Sequence, residues 1–104
     1  MSDEYEIHVD NVGTTFKCTI LNGEGIENVS GSTTKNIIFT RPDGTKLTKS
    51  ASFYTDGTDG IITYTVVAGD LSVAGLWRVQ GYVEYSASEQ YYSNIKTFIV
   101  YGNL

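Results

Sequence analysis

The sequence predicts an all-β domain, an immunoglobulin-like β-sandwich of seven or eight mostly antiparallel strands. Three observations carry this. Apolar and polar residues alternate with period two in several segments, the side-chain spacing of a half-buried strand. Those segments recur about every ten residues, separated by clusters of Gly, Asn and Asp, which is the rhythm of a sandwich or barrel. No run of helix formers at helical spacing outlasts about two turns. The 104 residues form one domain, 1–104. A chain of this length buries roughly two-thirds of its extended surface, enough for one core without metals or disulfides.

The first expected strand covers residues 5–9 and closes on the turn Asp10-Asn11-Val12-Gly13. The second covers 14–21, with Phe16, Cys18 and Ile20 on one face and Thr15, Lys17 and Thr19 on the other. Cys18 therefore sits in the buried row as a small hydrophobe. As the single cysteine it has no partner for an internal disulfide. Asn22-Gly23-Glu24-Gly25 ends this strand, and 26–34 reads as a long polar loop anchored by Ile26 and Val29. A strand over 35–41 sets Ile37 and Phe39 opposite Ile38. Arg41-Pro42-Asp43-Gly44 is a tight turn, because proline presets φ and glycine accepts a positive one. Residues 45–49 return antiparallel.

Residues 51–54 and 61–67 flank Thr55-Asp56-Gly57-Thr58-Asp59-Gly60, a hairpin with a loop longer than two residues. In 68–75, Asp70-Leu71 marks a turn or a single helical turn, with Leu71 plugging the end of the sandwich. The longest strand signal is 76–85. Trp77, Val79, Gly81 and Val83 face inward, because the opposite row of Arg78, Gln80, Tyr82 and Glu84 carries two charges. Ser86-Ala87-Ser88-Glu89 is the next turn. A final strand over 91–101 alternates Ile95, Thr97 and Ile99 against Lys96, Phe98 and Val100. Both rows hold apolar residues, so this strand is central or half covered by a partner.

Composition excludes several classes of function. The net charge is -5 and the pI about 4.6, and Lys46 and Lys49 are the nearest thing to a basic cluster. Nucleic acid and anionic membranes are therefore not expected partners. Met1-Ser2-Asp3-Glu4 is acidic and lacks an apolar stretch, so no signal peptide is expected. His8 is the sole histidine, too little for a Ser-His-Asp constellation. His/Cys clusters that would hold a metal are lacking, and no cofactor is expected. Asp56 and Asp59 in a Gly-bearing loop offer oxygen ligands of the kind calcium takes, but the spacing is not that of an EF-hand, and a plain hairpin loop is the better account. Asn28-Val29-Ser30 matches the glycosylation triplet and, without a secretion signal, is read as chance.

The tyrosines stand out. Of eight, Tyr82, Tyr85, Tyr91, Tyr92 and Tyr101 fall in the last third. Adjacent Tyr91 and Tyr92 point to opposite faces of a strand. Tyr82 belongs to the outer row. Tyr82, Tyr85, Tyr91 and Tyr92 form the candidate partner-binding surface, since exposed tyrosine is enriched at interfaces. Cross-strand aromatic pairing is the competing account. Lys46 and Lys49 guard one sheet edge and Lys35 another; the first strand has only Glu6, so pairing with a neighbouring chain is open to it.

Four segments in order carry a resemblance: Arg41-Pro42-Asp43-Gly44-Thr45, Gly60-Ile61-Ile62-Thr63-Tyr64, Ala68-Gly69-Asp70-Leu71 and Ala74-Gly75-Leu76-Trp77-Arg78-Val79-Gln80. Their series, over roughly residues 14–100, resembles small β-sandwich proteins of tailed bacteriophages and prophages. It is similar to the N-terminal domain of phage baseplate upper proteins. The resemblance implies a virion structural protein that works through contacts with other virion proteins of baseplate, tail or capsid, without catalysis and with no fixed set of functional residues. A homo-oligomer is a further expectation, as is a place in the virion after synthesis in the host cytoplasm. Baseplate upper proteins continue into a part that reaches the receptor-binding protein, whereas this sequence stops at Leu104. The expectation is therefore a stand-alone tail or baseplate component, an adaptor or a capsid decoration protein. A carbohydrate-binding module for host-surface adhesion is the alternative; it needs exposed aromatics along a groove, and assigning Trp77 to the core weighs against it.

Overall fold

The computed structural model of the chain describes residues 7–10 and 12–102. Among them are nine strands and no helix. They are β1 (Ile7–His8), β2 (Thr15–Leu21), β3 (Thr34–Thr40), β4 (Lys46–Ser50), β5 (Ser52–Phe53), β6 (Ile61–Thr65), β7 (Gly75–Ser86), β8 (Glu89–Ser93) and β9 (Lys96–Tyr101). One layer runs β1-β9-β7-β3-β4. The other runs β2-β6-β5. Every pairing is antiparallel except β1 with β9. This is the all-β sandwich expected from the sequence. Tyr5 and Glu6 of the expected first strand lie outside the described residues. What is described of that strand pairs within the chain, along β9, so the edge offered to a neighbouring chain is occupied on that side.

Alternation decides what is buried. Phe16, Cys18 and Ile20 of β2 meet Ile37, Phe39, Trp77, Val79 and Val83 across the sandwich. Trp77 is fully buried and donates its indole N–H to the Val73 carbonyl at 2.9 Å. Phe39 stands edge-on to Phe16, Tyr64, Trp77 and Phe98, with centroids 5.2 to 6.4 Å away. Each large side chain buried here contributes roughly 1.5–3 kcal/mol. Gly81 lets the layers approach: a Cβ there would lie 2.7 Å from Cβ of Cys18.

The strand count exceeds the sequence expectation because the last strand is split. β8 and β9 both flank β7, and Asn94-Ile95 interrupts them. The interruption would orphan backbone groups of β7, and side chains take over. Ser93 is buried; its hydroxyl accepts from the Gly81 N–H at 2.7 Å and donates to the Asn94 carbonyl at 2.9 Å. Gln80 donates to the Ser93 carbonyl at 3.0 Å. Backbone groups inside a protein are nearly always satisfied in some such way. β2 adds to this arrangement, pairing β6 through residues 15–19 and β8 through Ile20 and Leu21, so the two layers are stitched at that corner.

Loops place the remaining residues. Val29 anchors the 22–33 loop and is fully buried, but Ile26 is 60% exposed and is not an anchor. Its backbone instead forms a lone bridge to Leu21. The 54–60 loop packs under this segment, and Gly57 and Gly60 have positive φ with no room for a Cβ. Leu71 plugs the sandwich end as expected, in a turn rather than a helix. Beside it Asp70, 4% exposed, accepts from the Tyr64 hydroxyl at 2.5 Å and the Val67 N–H at 2.9 Å, and pairs with Lys49 at 3.2 Å. Burial alone would raise the Asp70 pKa, but these donors outweigh it and hold the carboxyl below its ordinary value. Burial and the Asp70 carboxylate push Tyr64 up to about 12.

Candidate docking face

The outer surface of the five-stranded layer carries several apolar side chains in solvent. Outward positions follow from the register. Leu76 of β7 lies beside Ile99 of β9. The next row runs Lys46, Thr40, Arg78, Thr97 across β4, β3, β7 and β9. Then come Thr48, Ile38 and Gln80, and after them Ser50, Asn36, Tyr82 and Tyr92. Leu76, Ile99, Tyr92 and Ile95 are 50, 48, 48 and 58% exposed, so this is the least covered apolar ground on the sheet. At its centre a depression of about 220 Å³ opens over the β8–β9 interruption, lined by Ile38, Lys46, Arg78, Gln80, Tyr92 and Ile95 among others.

The four tyrosines of the candidate surface separate into two pairs. Tyr82 and Tyr92 are cross-strand partners on the outer face, with ring centroids 5.1 Å apart. Glu84 accepts from the Tyr82 hydroxyl at 2.5 Å, and that bond pushes its pKa up to about 12. Tyr85 and Tyr91 lie at the loop end of the inward row, centroids 6.0 Å apart and edge-on. The one Tyr85 hydroxyl proton is shared between Glu27, at 2.8 Å, and the Asn28 carbonyl, so it ties down the 22–33 loop. Burial, then the Glu27 carboxylate, raise its pKa. Tyr91 packs against the core and its pKa is raised, by burial first and then by Glu89. Only Tyr82 and Tyr92 thus share the outer face, and both accounts of the tyrosines hold at once, since the outer pair is itself a cross-strand contact.

Other sequence candidates resolve into local roles. Asp56 Oδ1 accepts from Thr58 N–H at 3.0 Å and the Thr58 hydroxyl at 2.6 Å. Asp59 accepts from Ile61 N–H at 3.0 Å and the Thr55 hydroxyl at 2.9 Å. Both carboxylates are turn-formers, and no metal-binding group of three or more His, Cys, Asp or Glu occurs among the described residues. Asn28 caps its own loop by accepting from Ser30 N–H and hydroxyl. His8 is exposed beside Tyr101, ring centroids 5.9 Å apart. Cys18 is buried, and burial raises its pKa.

Sequence reasoning passed over Leu76, Arg78 and Lys46 as surface residues of one site. The signal available was the doubly apolar final strand, which pointed at Ile95 and Ile99. What joins β4 and β7 into one row is the placement of β3 between them, and that is a tertiary fact. No helix of the described residues is long and apolar enough to cross a membrane. No protein-family model matches the sequence, and no curated protein matches it significantly.

Proposed function

We propose that this chain is a structural module of a bacteriophage particle, a tail or baseplate component or an adaptor, that works through protein–protein contact at the outer face of its five-stranded layer. The observation that carries the docking part is a set of exposed apolar side chains on one sheet face, Tyr92 and Ile95 lining the depression and Leu76 and Ile99 two rows along. Exposed apolar side chains grouped in one patch mark interaction sites, whereas scattered ones carry no such meaning. The phage assignment rests on the ordered turn and strand motifs from Arg41 to Gln80. Trp77 is fully buried, which leaves the carbohydrate-module alternative without its best platform residue.

Two measurements test this. Mass spectrometry of purified particles from the source is expected to find the chain in stoichiometric amount; its absence from particles overturns the virion assignment. Incorporation of an Ile99→Asp variant is expected to fall severalfold while its melting curve stays that of the parent. Undiminished incorporation removes the outer face as the docking surface. Light scattering with sizing across concentration adds the oligomeric state: a ring or trimer favours a symmetric tail position, and a monomer favours an adaptor or decoration role on a preformed surface.

A further inference from the structure

The cations of this acidic chain are distributed unevenly. Seven Lys and Arg stand against twelve Asp and Glu. Five of the seven have partners within the chain. Lys17 and Lys35 lie over the rings of Tyr54 and Phe53, at 4.0 and 4.6 Å. Arg41 donates to the Thr45 hydroxyl at 3.1 Å. Lys49 pairs with Asp70 at 3.2 Å. Lys96 donates to the Lys17 carbonyl at 3.4 Å. Lys46 and Arg78 have no such partner among the described residues, and both are exposed. Both line the depression on the outer face. They occupy one cross-strand row, separated by β3, so strand spacing sets their backbones about 10 Å apart. Between and beside them are Ile38, Tyr92 and Ile95.

We infer that this depression takes a partner-protein segment that presents acidic side chains next to an apolar one, the carboxylates meeting Arg78 and Lys46 and the apolar group settling against Tyr92 and Ile95. The inference rests on the docking reading and adds the chemistry of the occupant. Arg78 offers a planar fork that suits a carboxylate, and Lys46 a second positive charge across the same opening. A second copy seated face to face about this row would set Arg78 and Lys46 against their own like, which costs affinity. A nucleic acid would meet only two free cations on a chain of net charge -5, at an opening whose other walls include Ile38, Val79 and Ile95.

The test is a titration of the isotopically labelled chain, followed by backbone amide shifts, with two capped peptides: Gly-Phe-Glu-Leu-Glu-Gly and its Gln-for-Glu counterpart. The acidic peptide is expected to shift the amides of Lys46, Arg78, Tyr92 and Ile95 and to bind about tenfold more tightly than the neutral one, the effect of two exposed ion pairs at the upper end of their range. In the double variant Lys46→Glu, Arg78→Glu the preference is expected to invert toward a Lys-bearing peptide. Both substitutions are on exposed side chains, so the fold is retained. Equal binding of acidic and neutral peptides at those amides overturns the inference and leaves the docking reading standing. Shifts confined to another face overturn both. No shift with either peptide at millimolar concentration overturns the inference, and the docking reading is then judged by the Ile99→Asp incorporation alone. A single-stranded DNA 20-mer that shifts the same amides and displaces the peptide, or the same shifts on concentrating the chain alone, replaces the protein segment by nucleic acid or a second copy and overturns the assignment.

Discussion

Tyr91 and Tyr92 are neighbours in β8, and Tyr82 and Tyr85 sit three residues apart in β7, yet the four do two different things. Tyr85 and Tyr91 close the loop end of the sandwich, where Glu27 and the Asn28 carbonyl hold the Tyr85 hydroxyl. Tyr82, half-buried, and Tyr92, exposed, set their rings at a tilt to each other on the outer face. The same residue type serves as a staple on one side of the sheet and as exposed ground on the other. Strand parity makes that choice, and the loop that happens to lie over one row completes it. Composition alone therefore overstates a tyrosine surface: half of the cluster is structural.

The contrast between the inner and outer rows can be broken from either side. The largest effect belongs to the inner row. Trp77→Ala is expected to cost about 3–5 kcal/mol, since it opens a cavity beneath Phe39 and Phe98, and a thermal melt unchanged by it would contradict the sandwich core. Asp70→Ala comes next, at about 2–3 kcal/mol by denaturant titration. It orphans Tyr64 and the Val67 N–H, while Lys49, 31% exposed, can still reach water. Because the Asp70 pKa is lowered in the folded chain, its contribution is present above the unfolded carboxylate value near 3.9 and is lost as pH falls through the lower folded one. The parent is thus expected to lose stability below about pH 4 more steeply than Asp70→Asn, and parallel pH profiles would remove the charge from the account.

Tyr85→Phe sharpens the comparison between the two tyrosine pairs. Removing the donor hydroxyl should cost about 1 kcal/mol and speed hydrogen exchange at Val29 of the tied loop, whose N–H donates to the Gly57 carbonyl. Unchanged exchange there would mean that the loop holds itself. Tyr92→Ala is the smallest effect, within about 0.5 kcal/mol in the isolated chain, but it is expected to weaken docking. If it unfolds the domain, the outer pair is structural as well.

Much of this was legible from the sequence. Period two places Phe16, Cys18, Trp77, Val79 and Val83 inside and sets Ile37 and Phe39 opposite Ile38 without choosing the buried face, and turn chemistry locates Pro42 and the Asp56–Asp59 loop. Ile26 misled, because an isolated apolar residue in a polar loop has no period to fix its direction. The split of the last strand was hidden for a different reason. Asn94-Ile95 reads as an ordinary alternating pair, and the buried Ser93 hydroxyl, standing in for a backbone carbonyl, together with the Gln80 amide makes the gap tolerable. Asp70 reads in sequence as a turn residue, and its ties to Tyr64 and Lys49 span two further strands that sequence order does not bring together.

Cys18 gives the sandwich a built-in gauge. The chain has one thiol, 1% exposed, with its Cβ set against Gly81 of the facing layer. A thiol reagent can reach that sulfur only when the layers part, and burial further suppresses the reactive thiolate. The labelling rate of the unaltered chain is therefore a clock for layer separation, readable without any engineered probe. Partner binding at the outer face that stiffens the sandwich would slow that clock, although the partner never touches the cysteine.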